Sequence, residues 1–122
     1  MVVNNVLSEK TLAFAIRIVN GYKFLVESKK EFIMSKQLLR CGTSIGANSN
    51  EAIYAQSKAD FISKLSISLK EASETSYWLT LLHRTSYIED NMYTSMKKDL
   101  DEIIRIIAKT LKTTRKNENI EV

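Results

Sequence analysis

The chain has 122 residues, 44% hydrophobic and 26% charged, which suits one soluble globular domain over residues 1–122 and excludes a largely disordered chain. Proline is absent and glycine occurs three times, so tight turns are few, the elements between them are long, and a turn-rich β architecture is excluded. A net charge of +4 permits contact with nucleic acid, and the single cysteine, Cys41, excludes an intrachain disulfide and fits a reducing compartment.

The opening segment MVVNNVLSEK lacks the basic and apolar regions of a secretory signal. No apolar run approaches the roughly 20 residues of a membrane span, so the expected location is the cytoplasm, with no membrane partner.

Helix 1 is predicted from about Ser8, a plausible N-cap, to Glu27. Leu12, Ala15, Ile16, Val19 and Val26 repeat at helical spacing and form one stripe. Phe14, Ile18, Tyr22 and Leu25 form a second stripe beside it. Together the stripes cover roughly 200° of the helix, whereas one buried face needs only somewhat more than about 100°. The second stripe is therefore expected to be covered by something outside the chain.

Ser28-Lys29-Lys30-Glu31 reads as a connection with an S-x-x-E capping box. Helix 2 is predicted over about 31–56, with Met34, Leu38, Cys41, Ile45, Ser49 and Ala52 inward. Gly42 and Gly46 flank that face. Each costs about 1 kcal/mol against alanine in a helix interior, so close approach of a neighbouring helix is expected there, a local kink being the alternative. Ser57 and Asp60 mark the start of helix 3, predicted over about 58–84. Phe61, Leu65, Ala72, Ser76, Leu79 and Leu82 face its core. Lys64, Ile67, Glu71, Glu74 and Trp78 form a mixed ridge pointing away.

Helix 4 is predicted over about 91–114, on the stripe Met92, Met96, Leu100, Ile103, Ile107 and Leu111, with a frayed tail over 116–122. The short breaks make neighbours antiparallel, so the fold class is all-α, an antiparallel up-down-up-down four-helix bundle.

No catalytic, cofactor or metal site is evident. Di-metal bundles use Glu-x-x-His pairs, but positions three beyond Glu71 and Glu74 hold Glu74 and Tyr77. Cys41 falls on an inner face, where a cysteine acts as a small hydrophobe, and His83, the one histidine, lies on another helix. No small-molecule substrate is suggested.

Two surfaces stand out. Lys98, Arg105, Lys109, Lys112 and Lys116 fall within roughly 60° on helix 4, with Arg115 nearby, a ridge suited to phosphates or simply to solvent and the helix C-terminus. Asp101 is placed to pair with Arg105 at i,i+4. Phe14, Ile18 and Leu25 of helix 1, and Ile67, Glu71 and Trp78 of helix 3, are the expected self-association surfaces; Trp78 lying across a groove within the chain is the alternative. Two such surfaces on different helices suit a head-to-tail ring.

Ser35 to Asn48, with Glu51-Ala52, Lys70-Glu71-Ala72, Glu74-Thr75 and Tyr77-Trp78-Leu79, resembles the bacterial four-helix-bundle family of 23S rRNA intervening-sequence proteins. Many members carry proline where Gly46 stands. The chain is also similar to the accessory variability proteins of diversity-generating retroelements, which assemble as a ring of five and bind nucleic acid. The resemblance implies an up-down bundle without enzyme activity, and a homo-oligomer, a pentamer, that binds RNA or DNA. A protein-protein interaction scaffold with no nucleic-acid role is the alternative. Within the motif, Asn48 is expected to bond across to another helix near the glycines.

Overall fold

The computed structural model describes residues 2–121, with side chains over 6–117. Four helices follow one another: α1 Val2–Glu27, α2 Met34–Ile53, α3 Lys58–Arg84 and α4 Asp90–Glu121. Each packs on its neighbours in the cyclic order α1, α2, α3, α4, so α1 and α3 are diagonal, as are α2 and α4. One apolar core draws on all four helices, from Leu7, Phe14 and Ile18 of α1 to Leu100, Ile103 and Ile107 of α4. This is the all-α four-helix bundle expected from the sequence.

The helix 1 stripes exchange the roles expected of them. Phe14, Ile18 and Leu25 are the core stripe, 1%, 0% and 0% exposed, while Leu12 and Ile16 face outward at 64% and 54%. The helix begins at Val2, so Ser8 lies inside it rather than capping it. The extra turn brings Leu7 to the core, and the resulting spacing Leu7, Thr11, Phe14, Ile18, Leu25 selects the inward face.

α1 meets α2 at the glycines. A Cβ on Gly42 would stand 2.7 Å from Ile18 Cδ1, and one on Gly46 would stand 3.2 Å from Thr11 Cβ. Close helix approach, rather than a kink, explains both residues. Asn48 does not bond across; its Nδ2 donates to the Ser44 carbonyl of its own helix at 2.9 Å. The buried polar link is instead between α2 and α3. Ser68 Oγ donates to the Ile45 carbonyl at 2.7 Å and therefore accepts from Ser49 Oγ at 2.8 Å.

The turns work almost without turn residues. Lys30 (φ 55°) and Ser86 (φ 68°) take the left-handed conformation that glycine usually supplies. After α3, the Ser86 N–H reaches the His83 carbonyl and the Tyr87 N–H the Leu82 carbonyl, a Schellman ending. Before α2, the expected Ser28–Glu31 box does not form, and the helix starts at Met34. Glu31 alone caps it, accepting from the N–H groups of Ile33 (3.2 Å), Met34 (3.1 Å) and Ser35 (2.7 Å). Burial acts to raise the Glu31 pKa, but these three bonds outweigh it and hold the carboxyl below its usual range.

α2 ends at Ile53 rather than Gln56, and α3 spans the expected residues, with the Asp60 N–H on Ser57 Oγ at 3.0 Å. Ser68 and Thr75 are buried on α3, while Phe61 and Ser76 are half-buried at its edges. α4 runs past Thr114 to Glu121.

Candidate nucleic-acid interface

The inward stripe of α4 (Met96, Leu100, Ile103, Ile107 and Leu111) is at most 2% exposed and fixes the rotation of the helix. Lys98, Arg105, Lys109, Lys112 and Lys116 must then point outward, and all five are exposed. At 1.5 Å per residue they mark a basic line about 27 Å long.

The nearby acids do not neutralise it. Asp99 pairs with Arg17 of α1 at 2.7 Å, and Glu102 pairs with Lys10 of α1. Asp101 pairs with Lys97 at 3.1 Å, not with Arg105. Lys97 also donates to Ser76 of α3 at 3.0 Å, which draws Asp101 toward the α3 seam and away from the ridge. Among the described residues, none of the five ridge cations has a carboxylate within 4.0 Å. Arg115, beside the ridge, donates to Ser66 of α3 at 3.2 Å. Like charges spaced along one exposed line raise the local positive potential.

The other candidates on α3 are engaged within the chain. Glu71 and Glu74 both pair with Arg40 of α2, with Glu71 at 3.3 Å and only 15% of its side chain exposed. Trp78 is half-buried against the core, and its Nε1 donates to Glu74 at 3.2 Å. Trp78 therefore lies across the α2–α3 groove instead of pointing away. Of that expected surface only Ile67 stays exposed, at 40%. Phe14, Ile18 and Leu25 are unavailable because the core holds them. The outward large apolar residues of α1 are Leu12, Ile16 and, near the end of the helix, Phe24.

Cys41 is fully buried, its Sγ 3.7 Å from the Leu38 carbonyl, and burial pushes the thiol pKa up. His83 Nε2 lies 2.6 Å from Asp90 Oδ1 and its ring stacks on Tyr93 at 4.2 Å, closing the α3–α4 turn. Among the described residues, no group of three or more His, Cys, Asp or Glu could hold a metal ion, and no helix is long and apolar enough to cross a membrane. A groove of about 430 Å³ between α1 and α4 is lined by Phe24, Met92 and Met96 with Arg17 and Glu89.

No curated protein matches the chain. A crystal structure from Bacteroides thetaiotaomicron VPI-5482, a protein of unknown function from the S23 ribosomal protein family, superposes with a TM-score of 0.89. It is 58% identical, over 90% of this chain and 98% of that one. The profile of the 23S rRNA-intervening sequence proteins matches residues 4–109. With four antiparallel helices, a shared motif region and this coverage, the chain belongs to the 23S rRNA-intervening sequence protein family.

Proposed function

We propose that the chain is a non-enzymatic, self-associating helical bundle of the cytoplasm that holds RNA or DNA on the basic face of α4. The observation that carries this reading is that, among the described residues, Lys98, Arg105, Lys109, Lys112 and Lys116 have no carboxylate within 4.0 Å, while Asp99, Asp101 and Glu102 serve other cations. A ridge meant only to be soluble would gain from pairing with those acids. The family name associates its members with 23S rRNA intervening sequences, which makes RNA the first ligand to test.

Self-association is placed on Leu12 and Ile16, large apolar side chains that the fold leaves outside. Ile67 looks out from the diagonal helix α3, so contact between the two faces would be heterologous, the kind that builds a ring when its rotation closes. The pentamer is the ring implied by the family resemblance. α4 lies on neither contact face, so its ridge stays open in such a ring.

The test is RNA binding by fluorescence anisotropy across a salt series, with the wild-type chain and an Arg105→Gln/Lys109→Gln/Lys112→Gln variant. Strong salt dependence that the variant loses supports the reading; no binding at low salt overturns it. A protein-only scaffold is the second reading, favoured by Leu12 and Ile16. An oligomer that binds no RNA would select it.

A further inference from the structure

The four helices alternate in direction, so the α1–α2 connection and the α3–α4 turn lie at the same end of the bundle. The α1–α2 connection, Ser28-Lys29-Lys30-Glu31-Phe32-Ile33, is tightly held there. Lys30 takes the left-handed conformation, and the Glu31 N–H closes on the Leu25 carbonyl at 2.9 Å. The Glu31 carboxylate is turned inward onto the first N–H groups of α2. The next two side chains, Phe32 and Ile33, are left in solvent, 51% and 78% exposed.

These two side chains have basic company. Lys29 and Lys30 precede them, and Lys23 and Lys36 stand on the adjoining turns of α1 and α2; all four lysines are exposed. Lys29 Nζ lies 5.8 Å over the ring of Phe24, itself 38% exposed. Glu27 is the exposed acid of this stretch, because Glu31 is committed to its cap. Lys29 also borders a hollow shared with Glu89 and Asp90. Among the described residues, none of the four lysines has a carboxylate within 4.0 Å. The negative end of α1 accounts for Lys29 and Lys30. It does not account for two large apolar side chains set between them and Lys36.

We infer that this end of the bundle seats on an anionic lipid bilayer, with Phe32 and Ile33 entering the boundary between headgroups and acyl chains and the lysines meeting the headgroups. Exposed apolar side chains flanked by lysines are the composition of a surface that lies on such a membrane. A protein partner fits less well, because protein interfaces are depleted in lysine. The seat needs no spanning helix, and none is present among the described residues. A loop already held in place loses little conformational freedom on docking. The seat is also separate from the basic ridge: α4 starts at this end with Asp90, so Lys98 stands about 12 Å further along and the ridge runs away from the bilayer.

The experiment is co-sedimentation of the full chain with vesicles of phosphatidylcholine alone and of phosphatidylcholine with about 30% phosphatidylserine. The wild type is expected to pellet with the anionic vesicles and to stay in solution with the neutral ones. Lys29→Gln/Lys30→Gln should lower the partition coefficient about 30-fold, at about 5-fold for each lysine near an anionic surface. Phe32→Ser/Ile33→Ser should lower it at least about 10-fold, the effect of withdrawing one such side chain from apolar surroundings. Both variants should keep the wild-type circular dichroism spectrum, since these side chains are exposed and the Glu31 cap uses none of them. No binding of the wild type to the anionic vesicles, undiminished binding by Phe32→Ser/Ile33→Ser, or a greater loss with Arg105→Gln/Lys109→Gln/Lys112→Gln than with the loop variants overturns the inference. So does a mass in sedimentation equilibrium, without vesicles, that Phe32→Ser/Ile33→Ser lowers, which would give the loop to a contact between copies.

Discussion

Gly42→Ala measures how tightly α1 is pressed on α2. The new methyl carbon would stand 2.7 Å from Ile18 Cδ1 and Cγ1 and 2.9 Å from Cγ2. Ile18 is 0% exposed, so its branched side chain has nowhere to turn. Overpacking of this kind costs about 1–3 kcal/mol, and three contacts this short place it at the upper end. The better helix propensity of alanine returns about 1 kcal/mol. The net expectation is a loss of about 1–2 kcal/mol, which lowers Tm by about 4–8 °C for a domain of this size. Urea and thermal unfolding followed by circular dichroism, at one fixed protein concentration, would read it. The cause can be isolated with Ile18→Ala. In that background the three offending atoms are gone, so Gly42→Ala should turn from destabilising to stabilising, with a coupling of about 2–3 kcal/mol. Gly46→Ala, which meets the Thr11 side chain at 3.2–3.3 Å and its carbonyl oxygen at an ordinary 3.5 Å, should be neutral within about 0.5 kcal/mol. A Gly42→Ala variant as stable as the wild type, or a loss unaffected by Ile18→Ala, would refute the close-approach argument.

Three other expectations follow from named residues. Glu31 has a lowered pKa in the fold, so its contribution is complete above the unfolded value and disappears as pH falls through the folded one. Glu31→Gln should therefore lose stability at neutral pH, and the gap to wild type should narrow in acid; a gap independent of pH would contradict the cap. Ser86→Gly should stabilise by up to about 1 kcal/mol, because it relieves a left-handed serine at a cost in unfolded-chain entropy, and a loss in urea unfolding would count against that balance. Leu12→Asp/Ile16→Asp should leave the helical spectrum intact and lower the mass seen in sedimentation equilibrium. An unchanged mass would remove the α1 face from the assembly.

The bundle was legible because its periodicity is strong and its breaks are short. The α4 stripe from Met96 to Leu111 is buried as expected, and Ser57 caps α3 as expected. What failed was the choice between two apolar stripes on α1. Leu12 and Ile16 are as hydrophobic as Phe14 and Ile18, and only the meeting of Ile18 with Gly42 settles which side is pressed inward. Trp78 failed for a similar reason. A helical wheel places it at the rim of α3, and its partner Glu74 is held by Arg40 from another helix, which no local pattern shows. The basic ridge was visible in the spacing of its lysines. That Asp99 and Glu102 do not neutralise it was not, since that depends on Arg17 and Lys10 of α1 taking them.

The central claim is that the cations of α4 neutralise phosphates, and the slope of affinity against salt tests it most directly. Measured on a single-stranded RNA probe, six cations, Lys98, Arg105, Lys109, Lys112, Arg115 and Lys116, each engaging one phosphate, give a slope of about −4 in log K against log salt, or roughly 300-fold between 50 and 200 mM. Arg105→Gln/Lys109→Gln/Lys112→Gln should halve that slope, leaving roughly a 20-fold change over the same range. Binding whose slope is near zero, or whose slope the triple variant leaves unchanged, would contradict the account.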